Sequence, residues 1–132
     1  MRGIFCIFAP SFLNRKIMKI EEITSLISGA VVEGSDSPQM EVDCAFASDL
    51  MSDVLTLRTD KQVMLITGLC NTQTIRTCEM SDIKVIMFAR GKKVTEEMKE
   101  LAEDDDMLLI ETPLSLYKVA GILYGAGLPG VY

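Results

Sequence analysis

At 132 residues the chain fits a single domain built around one core. Its 48% hydrophobic and 24% charged residues match an ordinary globular protein and exclude a disordered or fibrous one. The net charge is −6, and residues 1–17 carry Arg2, Arg15 and Lys16 without an acid, so the other 115 residues stand at −9. A surface this acidic repels phosphate backbones and anionic lipid, so no nucleic-acid or membrane partner is expected.

The chain opens with a basic start and an apolar run, Ile4 to Ala9. That run is shorter than the roughly 7–15 residues of a signal-peptide core and far too short to span a bilayer. Met18-Lys19-Ile20-Glu21-Glu22 reads as a natural beginning. The expected layout is a non-native or disordered leader at 1–17, one domain at 18–128 and a tail at 129–132, in the cytoplasm. Four cysteines (Cys6, Cys44, Cys70, Cys78) form no C-x-x-C pair, and there is no histidine. Reduced thiols are expected, with no metal and no cofactor.

Ile20, Ile23, Leu26 and Ile27 have helical spacing, and Gly29 ends the helix. Ala30-Val31-Val32 predicts a short strand, and Gly34 to Pro38 a turn-rich connector. From Met40 to Phe46 apolar and polar residues alternate, which predicts one strand with one face on a core. Ser48 and Asp49 precede a helix expected at Leu50 to Leu57. Gln62 to Thr67 is nearly continuously apolar, as in a central strand covered on both faces.

A turn at Gly68 to Asn71 leads into a helix at Thr72 to Ser81, and Lys84 to Ala89 is a second buried strand. Arg90-Gly91-Lys92-Lys93 is a loop. Thr95 caps the next helix, with Glu96 and Glu97 in its first turn. The acids Glu103 to Asp106 fit an exposed turn, and Met107 to Ile110 is the last strand. Thr112-Pro113 predicts the start of the closing helix, which runs from Leu114 to about Tyr124. Strand and helix alternate from Gln62 onward, so the fold class is α/β: three layers, a mostly parallel sheet of about four to five strands, and helices on both faces. The earlier helix and two strands extend the sheet at an edge.

Ligands of open parallel sheets bind beyond the carboxyl ends of the strands. There the sequence places Ser48 and Asp49, then Thr67, Gly68 and Asn71, then Arg90, Gly91 and Lys92, then Glu111 and Thr112. Several of these flank helix N-termini, where free N–H groups attract anions, and Arg90 adds a planar donor fork suited to phosphate or carboxylate. Ser48, Asp49, Asn71 and Thr112 are also the residue types that simply cap helices. Catalytic templates fail. There is no phosphate-binding G-x-x-x-x-G-K-[ST], no G-x-G-x-x-G after a strand, and no histidine as general base. Gly121-x-x-x-Gly125 on the last helix permits close packing.

The segment VIMFARGKKVTEEMKELAEDDDMLLIETPLSLYKVAGILY resembles the second half of a DRTGG domain, and ASDLMSDVL and VMLITGLCNTQTIRTCEMSDI resemble its upstream pieces. The resemblance covers residues 18–128. Where the family has a threonine-glycine-glycine loop, this chain reads Phe88-Ala89-Arg90-Gly91, and the aspartate-arginine pair has no counterpart around Asn71. The resemblance implies a fold like the N-terminal domain of HPr kinase/phosphorylase and a regulatory role beside a catalytic domain.

The functional expectation is a non-catalytic sensor or adaptor that self-associates and binds a nucleotide or other small anion. Its candidate ligand residues are Ser48, Asp49, Thr67, Gly68, Asn71, Arg90, Gly91 and Thr112. The alternative is a structural accessory subunit of a larger, redox- or hydrogenase-related complex, docking through the closing helix and the tail Leu128 to Tyr132. A third is an enzyme using Asp49 and Arg90.

Overall fold

The computed structural model describes residues 16–34, 36 and 39–132. Most of the expected leader, with Cys6, and Ser35, Ser37 and Pro38 of the connector lie outside those residues. The elements are β1 (Met18–Lys19), α1 (Ile20–Leu26), β2 (Ala30–Glu33), β3 (Glu41–Val42), β4 (Cys44–Ala47), α2 (Met51–Val54), β5 (Val63–Thr67), α3 (Thr72–Met80), β6 (Val85–Phe88), α4 (Glu96–Asp104), β7 (Leu108–Glu111) and α5 (Leu116–Gly125).

Five strands form the main sheet in the order β2-β7-β6-β5-β4. Strands β4 to β7 are parallel, with Leu65 beside Phe46 and Ile86, and Ile86 beside Leu109. Strand β2 joins β7 antiparallel. Every residue of β5 and β6 is buried, which explains their unbroken apolar runs: both faces are covered, so neither face can be polar.

The three crossovers from β4 to β7 each step one strand the same way. Right-handed connections then put α2, α3 and α4 on one face. Met51, Ile75, Cys78 and Met98 from these helices pack there with Leu65 and Phe88. On the other face Ile20 and Ile23 of α1 and Val119 and Leu123 of α5 pack with Ile66 and Met87. Three helices cover one face and two the other, which is the expected three-layer α/β architecture.

Helix starts follow local chemistry. The Asn71 side chain accepts from Thr74 N at 3.0 Å and Thr95 Oγ1 from Met98 N at 3.2 Å, both as the sequence predicts. The closing helix is different. Its cap is Ser115, whose Oγ accepts from Lys118 N at 3.1 Å, so the helix begins at Leu116 and not at Thr112-Pro113. Thr112 is buried, and its hydroxyl donates to Ile27 O at 2.6 Å, tying the end of β7 to the end of α1.

Three further expectations change. The alternating stretch from Met40 is two strands. Glu41–Val42 pairs antiparallel with Met18–Lys19, while Cys44–Ala47 joins the main sheet. Asp43 makes the break: its carboxylate accepts from Gln62 N at 2.7 Å and its own N–H donates to Gln62 O at 2.9 Å. The two early strands of the main sheet, β2 and β4, stand at opposite edges, not at one. The helix expected over Leu50 to Leu57 closes after Val54, and Leu57 is reached by turns.

The tail lies along the outer edge of β4. Ala45 N donates to Pro129 O at 2.9 Å and Val131 N to Ala45 O at 3.1 Å. The Tyr132 ring meets Phe46 edge-on, centroids 6.1 Å apart. The backbone of a segment expected to dock a partner is thus engaged in closing a sheet edge that would otherwise expose unpaired N–H and C=O groups.

Candidate functional site

The carboxyl ends of β4 to β7 form a row, and the row is stitched together by hydrogen bonds. After β4, Ser48 N donates to Ile66 O at 3.0 Å, and Ser48 Oγ accepts from Leu50 N at 3.0 Å. Asp49 is exposed and caps no helix. Its Oδ1 accepts from Thr67 Oγ1 at 2.9 Å and from Gly68 N at 2.7 Å. A carboxylate on two donors makes a charge-assisted pair that pins β4 to the end of β5.

Thr67 is fully buried, and its hydroxyl also accepts from Leu69 N at 3.1 Å. Asn71 is engaged as the cap of α3. Thr74, a residue sequence reasoning missed, donates its hydroxyl to Leu69 O at 2.7 Å and so fixes the turn between β5 and α3. The signal was present in the spacing Asn71-x-x-Thr74 but is shared by many plain caps.

Beyond β6, Ala89 N donates to Thr67 O at 2.9 Å. Arg90 then takes φ +64° and Gly91 φ +72°. Arg90 N donates to Leu114 O at 2.7 Å and Gly91 N to Thr112 O at 2.9 Å. The described non-glycine residues at positive φ are Ser28, Asp82, Arg90 and Asp106. Ser28, Asp82 and Asp106 each follow the C-cap of a helix, where a left-handed residue is an ordinary terminator. Arg90 instead stands in a turn two residues past the buried strand β6, and the left-handed backbone there costs about 1 kcal/mol or more for a side chain. Its side chain is exposed.

Glu111, at the end of β7, turns to the loop. Its Oε2 accepts from Val94 N at 2.7 Å, and its Oε1 lies 3.5 Å from Lys93 Nζ. Cys70 Sγ donates to Lys93 O at 3.3 Å. Burial, then the Glu111 charge, push the Cys70 thiol up, with Lys92 opposing. The structure therefore brings Asp49, Thr67 and Gly68 into one bonded cluster, with Ser48 beside it on Ile66 O, and Arg90, Gly91 and Thr112 into a second. The two share the Thr67–Ala89 backbone bond. Thr112 contributes by position, because its hydroxyl is buried.

The order β4-β5-β6-β7 never reverses, so these four strands have no switch point where neighbouring connections diverge to opposite faces and open a crevice. The candidate site is a row of groups along the sheet end. Depressions lie elsewhere: about 570 Å³ beside Lys16, Lys61, Tyr124 and Tyr132, and about 330 Å³ beside Glu33, Asp36, Glu103 and Asp106. Among the described residues no three Cys, Asp or Glu side chains gather as a metal site, and no helix is long and apolar enough to cross a membrane.

Among solved structures, the chain is similar to the CBS and DRTGG domains of the regulatory region of Clostridium perfringens pyrophosphatase, complexed with the activator diadenosine tetraphosphate. The TM-score is 0.64 at 14% sequence identity, over 84% of this chain and 47% of that one. The likeness is one of fold. This chain spans about half the length of the structure it matches. No family model matches the sequence, and no curated protein does.

Proposed function

We propose that this chain is a non-catalytic regulatory domain of the DRTGG kind, related in fold to the N-terminal domain of HPr kinase/phosphorylase, that self-associates and binds a nucleotide or other small anion. The observation that carries the reading is Arg90. A guanidinium on a left-handed residue just past a central strand, with its backbone held by Leu114 O and its glycine neighbour by Thr112 O, is a donor fork on a fixed mount. Lys92 adds charge beside it, and the N-terminus of α3 faces the same end of the sheet. The Asp49–Thr67–Gly68 cluster supplies the polar floor. It also occupies the Gly68 N–H, so the anion is taken on the Arg90 side.

Support for a nucleotide comes from the fold neighbour, a regulatory region complexed with diadenosine tetraphosphate. The test is thermal denaturation of the full chain with diadenosine tetraphosphate, ATP, AMP and inorganic triphosphate. A ligand at 100 times its Kd stabilises by roughly 2.7 kcal/mol, so the melting temperature rises by several degrees. Arg90→Ala abolishes the rise while leaving the unliganded protein folded. Unchanged melting with all four ligands would overturn the ligand-binding reading.

A further inference from the structure

The two faces of the sheet are not equally clothed. Helices α2, α3 and α4 cover one; on the other, two helices, α1 and α5, are joined by Met18 and Val42 of the small β1–β3 sheet and by Leu128 of the tail. The thin part is the flank of α5 toward β4. There an apolar groove of about 220 Å³ runs between Ala45, Ala47 and Ile66 of the sheet and Ala120 and Leu123 of α5, with the tail at Leu128 to Gly130 along its side. On the outer side of α5, Tyr117 is 90% exposed and Tyr124 64% exposed. Gly121 lies between them, and a Cβ on it would meet nothing within 4 Å. A glycine inside an exposed helix costs stability relative to alanine, and no contact among the described residues requires it.

Charge narrows the choice of occupant. The chain is −6 overall, yet Thr112 to Tyr132 contains no Asp or Glu, and Lys118 is its one charged side chain. Two copies of an acidic protein repel least through such a face, whereas a basic partner would gain nothing there. The spacing is also self-complementary. Tyr117, Gly121 and Tyr124 stand at i, i+4 and i+7 on one side of the helix. If two α5 helices cross antiparallel at Gly121, Tyr117 of each copy comes opposite Tyr124 of the other. Lys118 of each then sits at the C-terminal turn of the other α5, the negative end of its dipole.

We infer that α5 is the interface of a two-fold homodimer that crosses at Gly121, with a second copy of this chain covering the thin face. This rests on the proposed self-association and gives it a surface. The test is sedimentation equilibrium of the full chain at concentrations from about ten to several hundred micromolar. The wild-type chain is expected to be a dimer, and Gly121→Glu, which sets two carboxylates against each other at the crossing, a monomer. Gly121→Glu also keeps or raises the melting temperature of the dilute protein, which separates loss of the interface from loss of the fold. Gly121→Cys is expected to cross-link as a disulfide dimer on oxidation, and Met80→Glu, on α3 of the opposite face, to stay dimeric.

A monomeric wild-type chain overturns the inference and leaves the face to residues 1–15 or to a different protein. A dimer that persists in Gly121→Glu overturns it by placing the contact elsewhere. Nucleotide binding that survives in a monomer separates failure of this interface from failure of the ligand-binding reading.

Discussion

The two faces of the sheet teach different things about the same strands. Alternate residues of β5 and β6 enter opposite cores: Leu65, Ile86 and Phe88 on the three-helix side, Met64, Ile66 and Met87 on the two-helix side. On the first side the helices that follow the strands supply the cover in regular order, and the sequence there shows repeated strand–helix alternation. On the second side the cover comes from α1, the β1–β3 pair and α5, held by contacts far apart in sequence. The regular side is closed by connectivity. The other is closed by tertiary bonds and remains thin beside β4.

The largest effect expected from this contrast is at Phe88, fully buried in the three-helix core. Phe88→Ala removes a ring from a side with no spare depth and should cost about 3–5 kcal/mol. That loss should be independent of protein concentration in urea denaturation. Leu123→Ala, equally buried on the two-helix side, should carry a cavity cost plus, through the α5 dimer proposed above, a part that grows with concentration. Equal concentration dependence in both variants would erase the distinction between the faces.

A smaller effect is expected where the two ends of the chain are tied. Thr112 Oγ1 donates to Ile27 O across 85 residues of sequence, in a buried setting. Thr112→Val keeps the shape but leaves that carbonyl without its donor and should cost roughly 1–3 kcal/mol. Amide hydrogen exchange should locate the loss in α1 and β2, with α3 and α4 unchanged. Uniform loosening of both faces would show that the tie serves the whole fold.

The legible part of this protein is the part where cause is local. The runs Val63–Thr67 and Val85–Phe88 announce central strands because neither face can be polar, and Asn71 and Thr95 announce helix starts because their acceptors reach N–H groups three residues on. Thr112 has the form of a cap because it precedes a proline, but its hydroxyl accepts only from Leu114 N, two residues on, and donates to the distant Ile27 carbonyl. The alternation from Met40 to Phe46 was continuous in pattern yet served two sheets, because Asp43 takes the Gln62 N–H. Asp49 stands beyond the carboxyl end of β4, but its bond to Gly68 spans 19 residues and has no local signature. The left-handed Arg90 was equally silent, since a glycine after an arginine fits any loop.

The gentlest probe of how dry the three-helix side is comes from its thiols. Cys78 on α3 is fully buried, and burial pushes its thiol up to about 12. In the unfolded chain a cysteine ionises at about 8.5. Below that value both states hold the proton and the folded protein keeps its full stability. Above it the unfolded state gives the proton up while the folded state retains it. Stability therefore falls as pH rises, by up to about 1.4 kcal/mol per unit, until the folded thiol ionises near 12. Cys44, buried in the same core and also shifted upward by burial, adds to the slope. Cys78→Ala should flatten the alkaline slope measured by urea denaturation between about pH 8.5 and 10. At pH 8 a thiol reagent should modify half-buried Cys70 at the strand ends well before Cys78. A Cys78 that reacts as fast as Cys70 would mean that the helices over this face part readily, and the closed side would then be the looser of the two.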